Sequence, residues 1–471
     1  MIKFGTSGWR GVIGEDFTFE KVRVATQGIA NHLIRTKQKG TGVVVAWDTR
    51  FLSEKFAAEA AKVLAFNGIK AYLCTRDVPT PCASFETIRR KAMATINFTA
   101  SHNPPEYNGL KFSTADGAPA LPDVTSLIER EIELVEQRNE RIDVYEKAEL
   151  IEEIDPKDRY LTELRQKVDI DAIRQSGLRI AIDSLYGTSR DYVDYFLIEA
   201  GVKVKTIHNY RDPYFGGFSP ECNEKNLAEL RRVVTEEKCD VGLATDGDAD
   251  RFGIIDDRNR FVSPNTILAL LAIYLKRYRN IPGGLARTVA TTHLIDAIAA
   301  KLDVPLYVTP VGFKYISELI LEDKIAFGGE ESAGMSMYRH VPEKDGILAC
   351  LLVAEMIART GKRIPQLIEE MHKEFGPLYS KRVDLKLTPQ LRESLAEKLA
   401  NPPSAIDDLT VRDVEMTDGV KLIFNDQTWL LFRLSGTEPV ARVYAEACSP
   451  RDLKHVLDAG RRFVSRPLKE N

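Results

Sequence analysis

The sequence predicts an α/β protein: three similar domains, each a mixed or parallel sheet sandwiched by helices, then a smaller C-terminal α+β domain, all around a central cleft. Three observations carry this expectation. At 471 residues the chain is too long for one core, since about 150 residues per domain is usual. A strand–helix–strand unit occurs three times, and strands alternating with helices of that length argue for parallel, helix-covered sheets. Past about residue 374 apolar and polar residues alternate, as in a half-exposed antiparallel sheet.

The first unit opens on "GVVVAWDTR", a β-branched run ending in a polar turn. It continues through the helical "SEKFAAEAAKVLAFNGI" to a strand "KAYLC" and closes on "MATINF". The second unit runs "LRIAIDSLYGTSR", "DYVDYFLIEAGV", "KVKTI" and "CDVGLA". The third runs "ARTVATTH", "LIDAIAAKLDV", "PLYVTP" and "DKIAFG". The acidic "ERIDVYEKAELIEEIDPKDRY" separates the first two units as a solvated helix and linker, and "DDRNRFVSPN" marks the next boundary. In the last domain "YSKRVDLKL", "VKLIFN" and "TWLLFRLS" are strands, and "SPRDLKHVLDAGRRFV" is an amphipathic helix. The expected domain limits are 1–150, 151–256, 257–373 and 374–471.

Composition excludes several classes. Lys plus Arg total 65 against 69 Asp plus Glu, a net of −4, so no basic excess points to nucleic acid. Apolar stretches such as "ILALLAIYL" are too short to span a bilayer, and "MIKFGTSGWRG" has no apolar core of a signal peptide. The six cysteines are scattered with no CxxC pair, as expected of reduced thiols in a cytoplasmic protein.

The loop after each closing strand carries the chemistry, and in open α/β sheets ligands bind beyond the carboxyl ends of strands. "TASHNP" presents Ser101 as an oxygen nucleophile, with His102 and Asn103 as orienting groups and Lys111 as an acid or base nearby. Taken alone, such a serine is more often a turn residue, and no GxSxG elbow marks a hydrolase triad. "TDGDADR" sets Asp246, Asp248 and Asp250 at alternate positions, which in extended chain turns three carboxylates to one side. A hard cation, Mg²⁺ or Ca²⁺, is the natural compensation. An EF-hand loop would need Gly and Glu where Arg251 and Asp257 stand. "GEESAG" offers Glu330 and Ser332 to sugar hydroxyls, or merely a helix cap. "RLSGTEPVAR" holds Arg433, Ser435, Gly436, Thr437 and Arg442, an inventory suited to a phosphate dianion, the alternative being a β-turn with surface arginines. "GTSGWRG" similarly places Ser7 and Arg10 among glycines, while His293 and Trp47 take structural roles.

Together "GTSGWRG", "TASHNP", "DGDADR", "GEESAG" and "RLSGTEP" resemble, in order and over essentially the whole chain, the α-D-phosphohexomutase family of phosphoglucomutases, phosphomannomutases and phosphoglucosamine mutases. The resemblance implies four domains around a deep cleft. Ser101 would be the phosphorylated serine, and Asp246, Asp248 and Asp250 the ligands of one Mg²⁺, with the phosphoserine giving a further oxygen. Lys111 would assist proton transfer beside His102. Glu330 and Ser332 would read the sugar, and Arg433, Ser435, Gly436, Thr437 and Arg442 would hold phosphate. Arg10 and Arg251 would stand near the transferred group. Two departures are visible: Ala249 where glycine is usual, and Gly334 and Met335 where mannose- and glucosamine-acting relatives carry a histidine. With "TPVGFKYI" and "EKDG" this is more like the phosphoglucomutases. The expected activity is interconversion of hexose 1- and 6-phosphates through a 1,6-bisphosphate, glucose first, with mannose or glucosamine phosphates as alternatives. Glucose 1,6-bisphosphate would be both activator and intermediate, and the enzyme a monomer or homodimer. A metal-dependent sugar phosphatase would release inorganic phosphate instead.

Overall fold

The computed structural model describes residues 2–5, 8–138, 142, 144, 147–425, 427–435 and 439–466; Ser7, Gly436 and Thr437 lie outside these. The three repeats form three sheets of one topology. In the first, Val43–Trp47 runs parallel to both Ala71–Cys74 and Ala94–Phe98, and Ala94–Phe98 pairs antiparallel with Tyr107–Thr114. Arg179–Asp183, Lys203–Ile207, Val241–Thr245 and Phe252–Asp256 repeat this arrangement. So do Gly284–Thr288, Leu306–Thr309, Ile325–Glu330 and Gly334–Met337. Each chemistry-bearing loop is therefore the bend of a hairpin at the end of a parallel strand, a return strand that the sequence units did not include.

Two strands fall beyond the expected domain limits. Ile151–Ile154 pairs with Ala71–Cys74 at the edge of the first sheet, and Phe261–Val262 pairs with Phe252–Asp256 at the edge of the second. The segment expected to be a solvated helix and linker thus contributes a strand, and its helix Lys157–Lys167 buries Tyr160, Leu161 and Leu164. Its charged residues cover an apolar stripe that periodicity alone underweights.

The second and third domains share one core. Helix Gly346–Thr360, nearly apolar all round, is buried in a cluster with Leu243 and Ile254 of the second sheet and Phe327 and Met335 of the third. A helix without a polar face needs cover on every side, and two sheets provide it.

The fourth sheet is antiparallel, in the order Tyr379–Lys386, Val440–Ala447, Thr428–Leu434, Val420–Asn425, Asp413–Glu415. Leu430 and Phe432 face helix Pro450–Ser465, whereas Trp429 and Leu431 pack with Val289 and Ala290 of the third domain. The alternation in Thr428–Leu434 marks two apolar partners, while the edge strands Tyr379–Lys386 and Asp413–Glu415 are half-exposed. All six cysteines are free, and among the described residues no helix is long and apolar enough to cross a membrane.

Candidate functional site

Each hairpin bend contains one residue in the left-handed region: Ser101 (φ 53°), Ala249 (φ 58°) and Ala333 (φ 70°). Such a φ costs a non-glycine residue on the order of 1 kcal/mol, and it persists where neighbours over-determine the backbone. Around Ser101 they do. Arg50 is fully buried and donates to the carbonyls of Ser101 (2.6 Å), Asn103 (2.7 Å), Pro104 (2.7 Å) and Tyr107 (3.0 Å). Its Nε donates to Asp48 at 3.1 Å, and Thr99 Oγ1 accepts from the Ser101 amide at 2.8 Å. The serine is thereby held from both sides of its peptide.

Ser101 Oγ donates to Asp246 Oδ2 at 3.1 Å, which joins the first loop to the second across the domain boundary. The approach needs Gly247, where a Cβ would stand 2.8 Å from the Ser101 carbonyl oxygen. Asp246, Asp248 and Asp250 are buried, with one carboxylate oxygen from each lying within 4.8 Å of the others. They do not stand on an extended strand. Asp246 follows the strand end and the rest lie in a turn, so the bend at Ala249 brings the carboxylates together rather than a pleat.

Cations from two other domains answer this charge. Lys111 Nζ donates to Asp248 at 2.6 Å and Asp250 at 2.9 Å, and Lys344 Nζ pairs with Asp250 at 3.0 Å. Burial pushes Asp246 well above the usual carboxylate range, reinforced by Asp250 and Asp248. Burial acts the same way on Asp250, but Lys111, Lys344 and Arg251 outweigh it and hold that carboxyl well below the range. Asp248 Oδ1 and Asp250 Oδ1 are buried with no hydrogen-bond partner among the described residues. Orphaned anionic oxygens within an all-oxygen donor set fit a hard divalent cation.

His102 Nδ1 lies 3.4 Å from Ser101 Oγ; burial, then Arg251 and Arg10, depress its proton affinity well below the imidazole norm, leaving it neutral. Arg10 donates to Asn103 at 2.6 Å, and its guanidinium is lowered first by burial and then by Arg251. Two crowded guanidiniums at the serine loop are relieved by an anion.

Glu330 ends its strand with Oε1 accepting from the Gly312 amide at 2.9 Å. Burial and the adjacent Glu331 raise its pKa to about 7 against Lys344 and Arg251, which also feel its charge. Ser332 is half-buried in the turn that follows. Arg433 and Arg442 sit opposite each other on neighbouring strands, and buried Ser435 closes the loop by donating its amide to Val440 at 3.0 Å. Gly436 and Thr437 of this loop lie outside the described residues.

Three participants escaped sequence reasoning. Arg50 was legible only as the end of a polar turn. Thr80, which donates to Asp248 at 2.6 Å, opens a helix with no motif of its own. Lys344 stands inside "EKDG", where a lysine between acids gives no hint that it is buried.

Comparison with known proteins is consistent along the whole chain. Family models for phosphoglucomutase/phosphomannomutase match in order: α/β/α domain I over residues 1–139, domain II over 158–259, domain III over 263–375 and the C-terminal domain over 390–462. A phosphoglucomutase/phosphomannomutase of Thermococcus kodakarensis is 31% identical, covering 99% of both chains. A provisionally named phosphoglucosamine mutase of Methanothermobacter thermautotrophicus is also 31% identical, over 98% of this chain and 97% of its own. Among solved structures, a provisionally named phosphomannomutase of Thermus thermophilus superposes with a TM-score of 0.87 at 33% identity, covering 99% of both chains.

Proposed function

The chain belongs to the phosphoglucomutase/phosphomannomutase family of phosphohexomutases, and from that premise we propose that it interconverts glucose 1-phosphate and glucose 6-phosphate through phospho-Ser101. The observation that carries this is Ser101 Oγ, backbone-locked and 3.1 Å from a buried aspartate cluster with unpartnered oxygens. In the first half-reaction the Oγ–phosphorus bond breaks and an O6–phosphorus bond forms, the O6 hydroxyl losing its proton and Ser101 Oγ regaining one, giving glucose 1,6-bisphosphate. The bisphosphate reverses in the cleft; its 1-phosphoryl group returns to Ser101 Oγ, and glucose 6-phosphate leaves.

Such transfer needs charge neutralisation and in-line placement more than covalent assistance. Arg10 and Arg251 supply positive charge beside the serine. Lys111 is driven down by burial but held protonated by Asp248 and Asp250, so it acts as a cation and proton donor. Mg²⁺, held by Asp246, Asp248 and Asp250, would supply Lewis-acid neutralisation. Arg433, Ser435 and Arg442 hold the phosphate that is not reacting, with Gly436 and Thr437 completing that loop, and Glu330 and Ser332 contact hydroxyls common to both orientations.

Glucose is favoured because Gly334 and Met335 stand where mannose- and glucosamine-acting relatives place a histidine. A site that accepts hydrogen bonds from the 3- and 4-hydroxyls tolerates a change at C2 better than one at C4, since a misplaced hydroxyl leaves buried partners unsatisfied. A coupled assay with Mg²⁺ and glucose 1,6-bisphosphate should rank glucose 1-phosphate above mannose and glucosamine 1-phosphates, with galactose 1-phosphate poorest. Ser101→Ala should lose roughly a thousandfold or more in turnover while still binding glucose 1-phosphate. Near-normal turnover in that variant, or release of inorganic phosphate in place of isomerisation, would sink the proposal.

A further inference from the structure

We propose that Asp418, a residue outside every motif, is a positioning residue that ties the phosphate-holding arginine of the fourth domain to the sugar-reading carboxylate of the third. This presupposes the mutase function above, in which Arg433 and Glu330 are two ends of one substrate site.

A single oxygen serves two partners. Asp418 Oδ2 accepts from the Val311 amide at 2.9 Å and pairs with Arg433 Nη2 at 2.9 Å. The next amide, Gly312, donates to Glu330 Oε1 at 2.9 Å. Successive amides of one loop therefore bind one carboxylate from each domain, and the distance from phosphate holder to hydroxyl reader is set through two residues. The loop itself cannot drift, because Val311 packs against the interdomain cluster of Val289, Ala290, Trp429, Leu431 and Tyr444. Three residues on from Asp418, Lys421 Nζ donates to the Val289 carbonyl at 3.0 Å, anchoring the start of the next strand to the third domain as well.

The effect on Arg433 is orientation. A free arginine loses substantial rotamer entropy when it grips an anion, and a fixed partner removes that loss beforehand. Asp418 occupies Nη2, while Arg433 Nε is buried with no hydrogen-bond partner among the described residues. The guanidinium is thus held at Nη2 by Asp418 and also by a hydrogen bond with Tyr444, so its orientation is set before phosphate arrives. The pairing also connects the substrate's two recognition events. A phosphate that pulls Arg433 pulls the Val311–Gly312 loop, and with it the amide that steers Glu330.

Asp418→Ala and Asp418→Asn separate these functions. The alanine variant removes both contacts, so KM for glucose 1-phosphate should rise about tenfold, more than kcat falls, and the preference for glucose over galactose should shrink. The asparagine variant keeps an acceptor for the Val311 amide but not the charge on Arg433. Phosphate affinity should therefore fall as before while the hydroxyl preference survives. In an Arg433→Ala background, Asp418→Asn should raise KM no further, because its effect on phosphate runs through Arg433 alone. A purely structural residue would instead lower the melting temperature with KM unmoved, or add its KM effect fully to that of Arg433→Ala; either result overturns the proposal. Calorimetric titration with inorganic phosphate and with glucose 1-phosphate repeats the comparison without turnover. Wild-type protein that binds glucose 1-phosphate yet does not isomerise it would defeat the functional proposal alone. Equal phosphate affinity in wild type and Asp418→Asn would defeat the role of Asp418 alone.

Discussion

Glu330 shows how far a single side chain departs from its intrinsic chemistry. Its carboxyl ordinarily titrates at 4.5, and burial with Glu331 alongside raises that to about 7 in the fold. The folded protein therefore holds this proton more tightly than the unfolded chain does. The protonated form favours folding below pH 4.5, and that contribution declines as pH rises toward 7, by up to about 1.4 kcal/mol per unit. Glu330→Gln cannot ionise, so its melting temperature should gain on wild type between pH 5 and 8. Wild-type KM should improve as the carboxylate forms near neutrality, and the glutamine variant should lose that inflection. Parallel melting-temperature profiles for the two proteins would refute the raised pKa. At this scale the sequence was legible where residues repeat a pattern: three alternate aspartates announce a cation site whatever their backbone. It was opaque for Arg50, whose importance is that four carbonyls converge on it, all of them more than fifty residues away.

The hairpin, not the strand, is the element that makes the site. In all three repeats a parallel strand ends, bends through a left-handed residue and returns antiparallel, placing three polar loops at equivalent sheet ends. The closing strands were visible as short apolar runs at the end of each repeat. The return strands were hidden because "YNGLKFST", "FGIID" and "GMSM" carry glycines that depress strand propensity, needed here for close packing. Helix Gly346–Thr360 adds a second constraint. Asp345 caps it by accepting from Leu348 at 2.8 Å, and the Gly346 amide donates to the Ala249 carbonyl at 3.0 Å. A Cβ at 346 would stand 2.3 Å from the Arg251 carbonyl oxygen. Alanine gains about 1 kcal/mol of helix propensity over glycine, but relieving a backbone overlap costs about 1–3 kcal/mol and displaces the aspartate turn. The clash wins. Gly346→Ala should lose at least about tenfold in kcat/KM, with Mg²⁺ affinity falling alongside. Full activity with unchanged Mg²⁺ titration would show that the turn does not depend on this contact.

Across the whole molecule, the aspartate cluster is where three domains meet as charges. Asp246, Asp248 and Asp250 come from the second domain, Lys111 from the first and Lys344 from the third, so three buried carboxyl groups draw cations from both neighbouring domains as well as Arg251 from their own. Two of these cations come from other domains, which is why the four-domain arrangement could be inferred from repeats but its cohesion could not: each sequence motif reads as a separate ligand site. Lys111 is the more consequential cation because it pairs with two of the three aspartates, whereas Lys344 pairs with one of them and with Glu343. Lys111→Met removes the charge while keeping much of the side-chain volume, leaving Asp248 and Asp250 short of a partner between domains. Breaking a buried pair in this way costs about 3–5 kcal/mol. In EDTA the variant should melt several degrees below wild type, in a chain of this size where 1 kcal/mol moves the midpoint by about 2 °C or more. Added Mg²⁺ should then raise the variant's melting temperature more than the wild type's, because the cation replaces the missing charge in one and supplements an existing charge in the other. Scanning fluorimetry of both proteins, with EDTA and across a Mg²⁺ series, measures the difference directly. If the two proteins melt together in EDTA, or gain equally from Mg²⁺, Lys111 does not share the aspartates' charge and the cluster does not hold the domains together.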